Sequence, residues 1–464
     1  MMYRLIRWAA VATMLAAAWP AQAETSAAPM VASDAAARRS LDLTVYNHDL
    51  ALVHEARDLV LPKGLVRIEF RDVPARIDPT SLRVEAGGGF SLLEQNYEFD
   101  LLSRDRILQK YVGRDLSWLQ EDGSQVAGTL LGMNDGPVFR VDGRIVFEVP
   151  GRLALPALPA DLRERPTLVW LAESGQARTT RVEASYLSGG LSWHADYVLD
   201  LDREGRKAAL QAWVTVDNQS GATYEEANLR LVAGDVNRVP MGPPPREVFE
   251  TMRAMDSAAK GFQEESLYDY HLYTLGRPTD LKDRQIKQIS LFEREGVPVE
   301  RRYRLRPGAV SGRGDGLLPV EVSYRFRNDR SAGLELPLPA GKVRVYGESD
   351  GGRQLLGEDR IDHTPKDETV ELTVGRAFDI LAERVVVTSE RLGERGQRLG
   401  VRVSVRNHKD QKVTVEVGEQ VWGEWTVTAS TLPVRRISAT ELAFDVPVAA
   451  DGETVLEYTV EINR

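Results

Sequence analysis

The chain has 464 residues, of which 69 are acidic and 59 basic, for a formal net charge of −10, and it contains no cysteine. This acidic balance argues against nucleic acid as a partner, because phosphate binding needs a concentrated basic face. Without cysteine, neither a disulfide nor a lipid anchor on an N-terminal Cys can form, so stability must come from packing.

The first 23 residues have the pattern of a secretory signal peptide. Arg4 and Arg7 precede an apolar run over 8–19, and Ala-Gln-Ala at 21–23 provides an A-x-A cleavage site. The run is shorter than the about 20 apolar residues that cross a bilayer, so we predict cleavage after Ala23. Cleavage removes two arginines and leaves 57 basic against 69 acidic side chains (net −12), and we predict no transmembrane segment in the mature chain. We therefore expect a periplasmic or secreted protein of two to four domains.

An N-terminal β-domain is predicted over 41–178, after a flexible leader at 24–40 that is rich in Ala and Ser. Its apolar residues alternate with polar ones in short runs bounded by Gly, Asn, Asp and Pro, which is typical of strands and hairpins. Over 126–149, three such runs joined by Asp-Gly turns predict a hairpin meander. One short helix is predicted between a capping Ser103 and a terminating Gly113.

A second pattern then recurs: an alternating strand ends in Asn and a polar turn, and another alternating strand follows. The asparagines are Asn218, Asn328 and Asn407. Their short amides can bond the local backbone and accept a left-handed conformation. We interpret the region 179–378 as β-sandwich and the region 379–464 as a C-terminal immunoglobulin-like sandwich.

The sequence thus predicts an all-β protein, with an N-terminal β-domain containing a hairpin meander followed by two or three immunoglobulin-like β-sandwich modules. A Pro-rich, charged stretch at about 240–266 splits the sandwich region and has the composition of a mobile insertion. A functional interpretation of this stretch is a docking segment that folds on binding.

From about residue 181 onward, several motifs follow one another: SYLSGGLSWHADYVLDL, LELPLPAGKVRVYGE, DRIDHTPKDETVELTVGRAFDI and VRNHKDQKVTVEV. On these motifs the chain resembles the bacterial family called domain of unknown function 4139, some of whose members are labelled mucoidy inhibitors. The segments YEFDLLSRDRILQKYVGRDL and DLRERPTLVWL are similar to members that lack a long coiled-coil insertion. The resemblance implies an exported, β-rich protein and suggests envelope or exopolysaccharide biology. It brings no established catalytic residues to this chain.

One candidate site lies in the segment that contains Trp193, His194 and Asp196. Strand alternation places His194 and Asp196 on one face and Trp193 on the other. A His and an acid on one face can be a base with its orienting group, or half of a metal site. The alternative is a Trp that anchors the core behind a polar solvent face, and nearby sequence offers no third ligand.

Two further candidates come from a loop and a tryptophan pair. Asp362 and His363 lie in a loop crowded with acidic residues, whose oxygens suit hard cations, although an ordinary polar turn has the same composition. Trp422 and Trp425 lie on opposite faces of a regular strand, unless Gly423 makes a bulge. One of them is predicted to be in the core, and the other is a candidate surface platform for a sugar or peptide.

These patterns assign no catalytic, cofactor-binding or metal residue, and we predict no cofactor. The leading hypothesis is a non-enzymatic binding or scaffold protein of the cell envelope, with a protein or polysaccharide as partner. One alternative is a hydrolase or metal-assisted enzyme whose site assembles from distant loops, with His194, Asp196 and the loop of Asp362 and His363 as first candidates. The other alternative is a surface adhesin that acts through the Pro-rich insertion.

Overall fold

The computed structural model describes residues 28–159, 162–234, 236–237, 262–308, 310, 316–394 and 396–463. The first sixteen strands are β1 (Met30–Ser33), β2 (Arg38–Tyr46), β3 (Ala51–Leu61), β4 (Gly64–Arg71), β5 (Ile77–Ala86), β6 (Phe90–Glu98), β7 (Asp115–Leu119), β8 (Gln125–Gly132), β9 (Val138–Val141), β10 (Arg144–Val146), β11 (Arg152–Ala154), β12 (Thr167–Ser174), β13 (Arg178–Ser188), β14 (Leu191–Leu201), β15 (Lys207–Asn218) and β16 (Tyr224–Ala233). The next fifteen are β17 (Phe262–Leu267), β18 (Tyr270–Leu275), β19 (Thr279–Leu281), β20 (Gln285–Pro298), β21 (Glu300–Leu305), β22 (Gly316–Arg327), β23 (Gly341–Ser349), β24 (Gly352–Ile361), β25 (Thr369–Leu392), β26 (Gly396–Asn407), β27 (Val413–Gln420), β28 (Glu424–Ser430), β29 (Val434–Arg436), β30 (Glu441–Val448) and β31 (Gly452–Asn463). One α-helix, α1 (Arg104–Lys110), and two 3-10 turns, Ala35–Ala37 and Arg330–Ala332, complete the described elements.

The all-β, multi-domain class predicted from the sequence is confirmed. Within the described ranges, no helix is long and apolar enough to cross a membrane. The immunoglobulin-like topology of the modules stays a prediction. The signal peptide at 1–23 and the start of the leader lie outside the described residues.

Two sheets pack face to face in the N-terminal half. One has the order β17-β18-β16-β2-β3-β13-β5, with β19 beside β16, and the other has the order β1-β4-β12-β6. Their inner faces bury a common core, in which the rings of Phe70 and Trp170 stack with centroids 4.8 Å apart. Alternating apolar residues point inward because successive side chains of a strand face opposite ways.

The structure corrects two predicted boundaries here. The leader at 24–40 is not wholly flexible, because Met30–Ser33 pairs in parallel with β4 and β2 begins at Arg38. A boundary between residues 178 and 179 would cut one core, because β13 pairs with β3 along its whole length. Composition missed both features, since pairing between distant strands leaves no local pattern.

A small sheet with the order β10-β9-β8-β7-β11 is inserted between β6 and β12 and has its own core. Its strands β8, β9 and β10 form the predicted meander, and Asp142 and Gly143 turn β9 into β10 with φ of 47° and 75°. The predicted helix is α1: the Ser103 hydroxyl accepts from the Arg106 amide at 3.2 Å, and Gly113 has a φ of 80°.

A central sheet, β20-β15-β14-β23-β24, leads into a nine-stranded C-terminal sheet, β28-β31-β26-β25-β22-β21-β27-β30-β29. The C-terminal sheet curls on itself, so that the rings of Phe444 and Tyr458 lie 4.9 Å apart. The first half of β25 packs on the central sheet and its second half on the C-terminal core. The predicted boundary between residues 378 and 379 therefore falls inside one strand, and the modules are not simply in series.

Each of the three asparagines is buried and joins a strand end to distant loops. The Asn218 amide donates to the carbonyls of Ala222, Leu281 and Lys282 at 2.9 to 3.2 Å. Asn328 and Asn407 each donate to two carbonyls in the same way. The predicted bonding to backbone is confirmed. None of the three has a positive φ, so the prediction of a left-handed conformation was wrong.

The predicted insertion at about 240–266 falls mainly on 238–261, outside the described residues. Its last residues belong to β17, which forms a hairpin with β18, from the pair Phe262 and Leu275 to the pair Leu267 and Tyr270. The end of the insertion is thus strand and not a mobile segment.

Two fully buried charges, Glu55 and Arg57, connect the N-terminal sheets. The Arg57 guanidinium donates to Glu55 at 3.0 Å and to the carbonyls of Ser33 and Arg71 at 3.1 and 2.8 Å. The Tyr186 hydroxyl donates to the other oxygen of Glu55 at 2.8 Å. Burial raises the pKa of Glu55, but the charges of Arg57 and Arg38 outweigh this effect and lower its pKa overall.

Replacing Asn218 with Ala should lower the free energy of unfolding by about 3 kcal/mol, because several buried carbonyls lose their donor. Urea denaturation followed by circular dichroism measures this change. Asn228→Ala is the matched control, since Asn228 is exposed and, among the described residues, its side chain bonds only the Asp42 carboxylate. Similar losses in the two variants would contradict the proposed role of Asn218.

Glu55→Gln should cost about 3 to 5 kcal/mol at pH 7, because it leaves the Arg57 charge buried and uncompensated. The lowered pKa of Glu55 means that its contribution is complete above its ordinary value of 4.5 and is lost as the pH falls through the folded-state value. Unfolding free energies from pH 7 to pH 3 should therefore fall less steeply in the variant than in the wild type. Glu85→Gln, at a half-exposed pair with Arg83, is the control and should leave the pH dependence of the unfolding free energy as in the wild type.

Candidate functional site

Strand β14 separates the three residues of the first candidate as its alternation predicts. Trp193 is buried, and its indole N–H donates to the Val232 carbonyl at 3.1 Å. His194 and Asp196 point to the opposite face of the central sheet, where the His194 side chain is 56 % exposed and the Asp196 side chain 13 % exposed. Trp193 therefore belongs to the core, and the polar pair belongs to the solvent side.

A polar network crosses four strands on this face. His194 Nε2 lies 3.2 Å from Asp196 Oδ2, which also accepts from the Thr215 hydroxyl at 2.5 Å. The Gln288 amide on β20 donates to Thr215 Oγ1 at 3.1 Å. From β23, an Arg344 nitrogen lies 3.7 Å from the other oxygen of Asp196. The carboxylate of Asp196 is thus the centre of the network, and His194 is its exposed end.

The loop of Asp362 and His363 meets the same end of the central sheet. The backbone of Ala340 links this loop to β14. Its carbonyl accepts from the Ala195 amide at 3.4 Å, and its N–H donates to His363 Nδ1 at 3.2 Å. Asp362 is exposed, and its backbone carbonyl accepts from the Thr364 hydroxyl. Two candidates that are about 170 positions apart in the sequence are therefore neighbours in space.

The chemistry available to this network is limited by its hydrogen bonds. Asp196 orients His194, as a carboxylate orients a base. The Thr215 hydroxyl, however, donates to Asp196 and not to the imidazole, so it is not activated as a nucleophile. Among the described residues, no group of three or more His, Asp or Glu side chains is arranged to hold a metal ion.

The tryptophan pair is divided between core and surface. Trp425 is 8 % exposed, donates to the Ala439 carbonyl at 2.6 Å and is covered by the Arg436 guanidinium, 4.4 Å from its ring centroid. Trp422 is 59 % exposed in the connection between β27 and β28. Gly423, with a φ of 108°, breaks the strand between them.

The sequence did not reveal a cleft of about 420 Å³ between the central and C-terminal sheets. It lies beyond the end of β14, near Leu201, away from His194. The Arg301 guanidinium lies 5.6 Å from the Tyr324 ring centroid in its wall and donates to the Tyr324 hydroxyl at 3.1 Å. Its volume lies within the range of small-ligand sites.

Phe378 is 92 % exposed and borders this cleft. A bulge in β25 holds it there: along the pairing, β22 advances two residues, from Pro319 to Glu321, while β25 advances five, from Arg376 to Leu381. Bulges re-aim side chains and are common beside functional sites. The only sequence signal is the broken alternation of Ala-Phe-Asp-Ile at 377–380.

Comparison with known proteins adds no assignment. No protein-family model matches the chain, and no curated protein matches it.

Gly341→Ala should destabilise the protein by about 3 kcal/mol or more, because a Cβ there would overlap the Ala195 carbonyl and push β23 away from β14. The same displacement should break the hydrogen bond from the Ala195 amide to the Ala340 carbonyl, and the Ala195 amide resonance should shift. Gly351→Ala is the control, since its Cβ meets only the Ser349 hydroxyl at 3.8 Å. If both variants unfold at the same urea concentration, the close approach of β14 and β23 is wrong.

Proposed function

We propose that the chain is an exported binding protein of the bacterial cell envelope, which holds a protein or polysaccharide partner without transforming it. The observation that carries this proposal is Phe378, exposed at the mouth of a cleft of about 420 Å³. Membership of the family with domain of unknown function 4139, and a periplasmic or secreted location after cleavage behind Ala23, belong to the same proposal.

An exposed phenyl ring supports a binding role because burial is its favourable state. Leaving a Phe side chain in water forgoes about 1.5 to 3 kcal/mol relative to burying it. The bulge holds Phe378 away from the cores that the described residues form, and we propose that a partner supplies the missing contact. A ring of this kind at a desolvated centre is a common energetic anchor of an interface.

The rim of the cleft supports an amphipathic partner. Lys409 pairs with Asp379 at 3.7 Å, and Arg203 lies 3.8 Å from Glu348. Charged side chains beside aromatic rings suit a sugar, because its hydroxyls bond the polar groups and its C–H faces stack on the rings. They equally suit a peptide with a large apolar side chain.

The alternative of a hydrolase rests on the network of His194, Asp196 and the nearby His363. It is supported by the Ala340 backbone, which bonds both the Ala195 amide next to His194 and the His363 imidazole. Turnover in an unbiased hydrolase screen that is lost in both His194→Ala and His363→Ala would establish this alternative and overturn the binding proposal.

Phe378→Ala should weaken capture of the partner by about ten-fold or more, because the ring is the anchor that the cleft offers. Immobilised mature protein is exposed to solubilised envelope proteins and, separately, to envelope polysaccharide, and the retained material is quantified. Phe147→Ala is the matched control, since Phe147 is 71 % exposed and lies after β10 in the small sheet. Equal retention by wild type and both variants would show that the cleft is not the binding site.

A further inference from the structure

A second cavity, of about 240 Å³, lies on the C-terminal sheet. It is separated from the cleft by β21, whose residues alternate: Arg301 and Tyr303 face the cleft, whereas Arg302 and Arg304 face this cavity. We call it the arginine pocket, after the five arginines in its wall. They are Arg302, Arg304, Arg306, Arg325 and Arg435.

Three of these arginines converge on one carboxylate, that of Glu416 on β27. Arg435 lies 2.7 Å from it, Arg304 2.8 Å and Arg302 3.2 Å. The Glu416 side chain is 17 % exposed. Burial raises its pKa, but the hydrogen bond from Arg435 and the charges of Arg304 and Arg302 outweigh burial and lower the pKa overall. The three arginines therefore stabilise the ionised form of Glu416.

Further carboxylates hold some of the arginines from outside the cavity wall. Glu300 lies 2.6 Å from Arg325, Asp445 lies 2.9 Å from Arg435, and Glu371 pairs with Arg304. These acids fix the side chains in place. They do not line the cavity; the two acids in its wall are Glu416 and Glu441.

Donors outnumber acceptors inside the pocket. Each guanidinium has five N–H groups, whereas a carboxylate accepts about four hydrogen bonds. Arg306 is exposed and has no ion pair to any residue in the described part of the chain. The cavity has room for about eight waters at about 30 Å³ each, which is enough for one oxyanion with a few attached atoms.

We propose that the arginine pocket binds an oxyanion, the carboxylate or phosphate group of a small ligand. Guanidinium forks match both groups in a bidentate way, and the local concentration of arginines contrasts with the acidic balance of the whole chain. The site is independent of the cleft and of the partner proposed for it, because the two cavities use opposite faces of β21.

The test is calorimetric titration of the full mature protein at about 20 mM ionic strength, where screening is weak. Inorganic phosphate is used in one arm and succinate in the other, so that the two sources of the oxyanion are distinguished. We expect saturable one-to-one binding in at least one arm. Arg435→Gln and Arg306→Gln should each weaken it about ten-fold, because a charge-assisted fork is lost.

Arg402→Gln is the matched control, since Arg402 forms an exposed pair with Glu457 at 2.7 Å on β26, outside the pocket. It should change the affinity by less than about two-fold. Thermal unfolding shows whether each variant is folded. If Arg435→Gln does not fold, Arg306→Gln still tests the site, because Arg306 is exposed. The proposal is overturned if neither titrant binds saturably, or if Arg402→Gln weakens binding as much as the pocket variants.

Discussion

The buried ion pair of Glu55 and Arg57 constrains the whole N-terminal architecture. Arg57 lies in the larger sheet, yet its guanidinium reaches the carbonyls of Ser33 and Arg71 in the opposite sheet. Glu55 is fixed from β13 by the Tyr186 hydroxyl. An unpaired buried charge costs several kcal/mol, so the two sheets are stable only in the register that satisfies both groups. That register sets the position of β13 and hence of β14, which begins the central sheet and carries His194.

The alternation of one strand, β21, explains why two cavities lie back to back. Arg301 and Tyr303 border the cleft, whereas Arg302 and Arg304, which alternate with them, border the arginine pocket. Strands β22 and β25 run from the central core into the C-terminal core. Because the sheet changes its packing partner along these strands, their pairing is interrupted there, and the interruption exposes Phe378. The cleft is thus a consequence of how two cores share strands.

Helix starts and strand ends could be predicted from the sequence, whereas pairing between distant strands could not. Ser103 predicted a helix start and Asn218 a strand end, because each bonds backbone within a few residues, although Asn218 also bonds the distant carbonyls of Leu281 and Lys282. The meeting of β14 and β23, which brings His363 toward His194, depends on a parallel pairing across about 150 residues. The exposure of Phe378 depends on a mismatch with another strand. Neither feature leaves a periodic pattern, since period-two alternation describes one strand at a time.

The two candidate sites differ in what the fold does for them. His194 extends from a regular strand, and the hydroxyl nearest to its partner Asp196 donates to that carboxylate and not to the imidazole. A general base takes its proton from a substrate or a water, so His194 can act as one only toward a molecule bound at the exposed end of this network. Phe378, in contrast, is held in water by an interruption of the sheet, and its burial against the described residues does not offset that cost. This exposed ring above the cleft is the feature on which the proposed binding role rests.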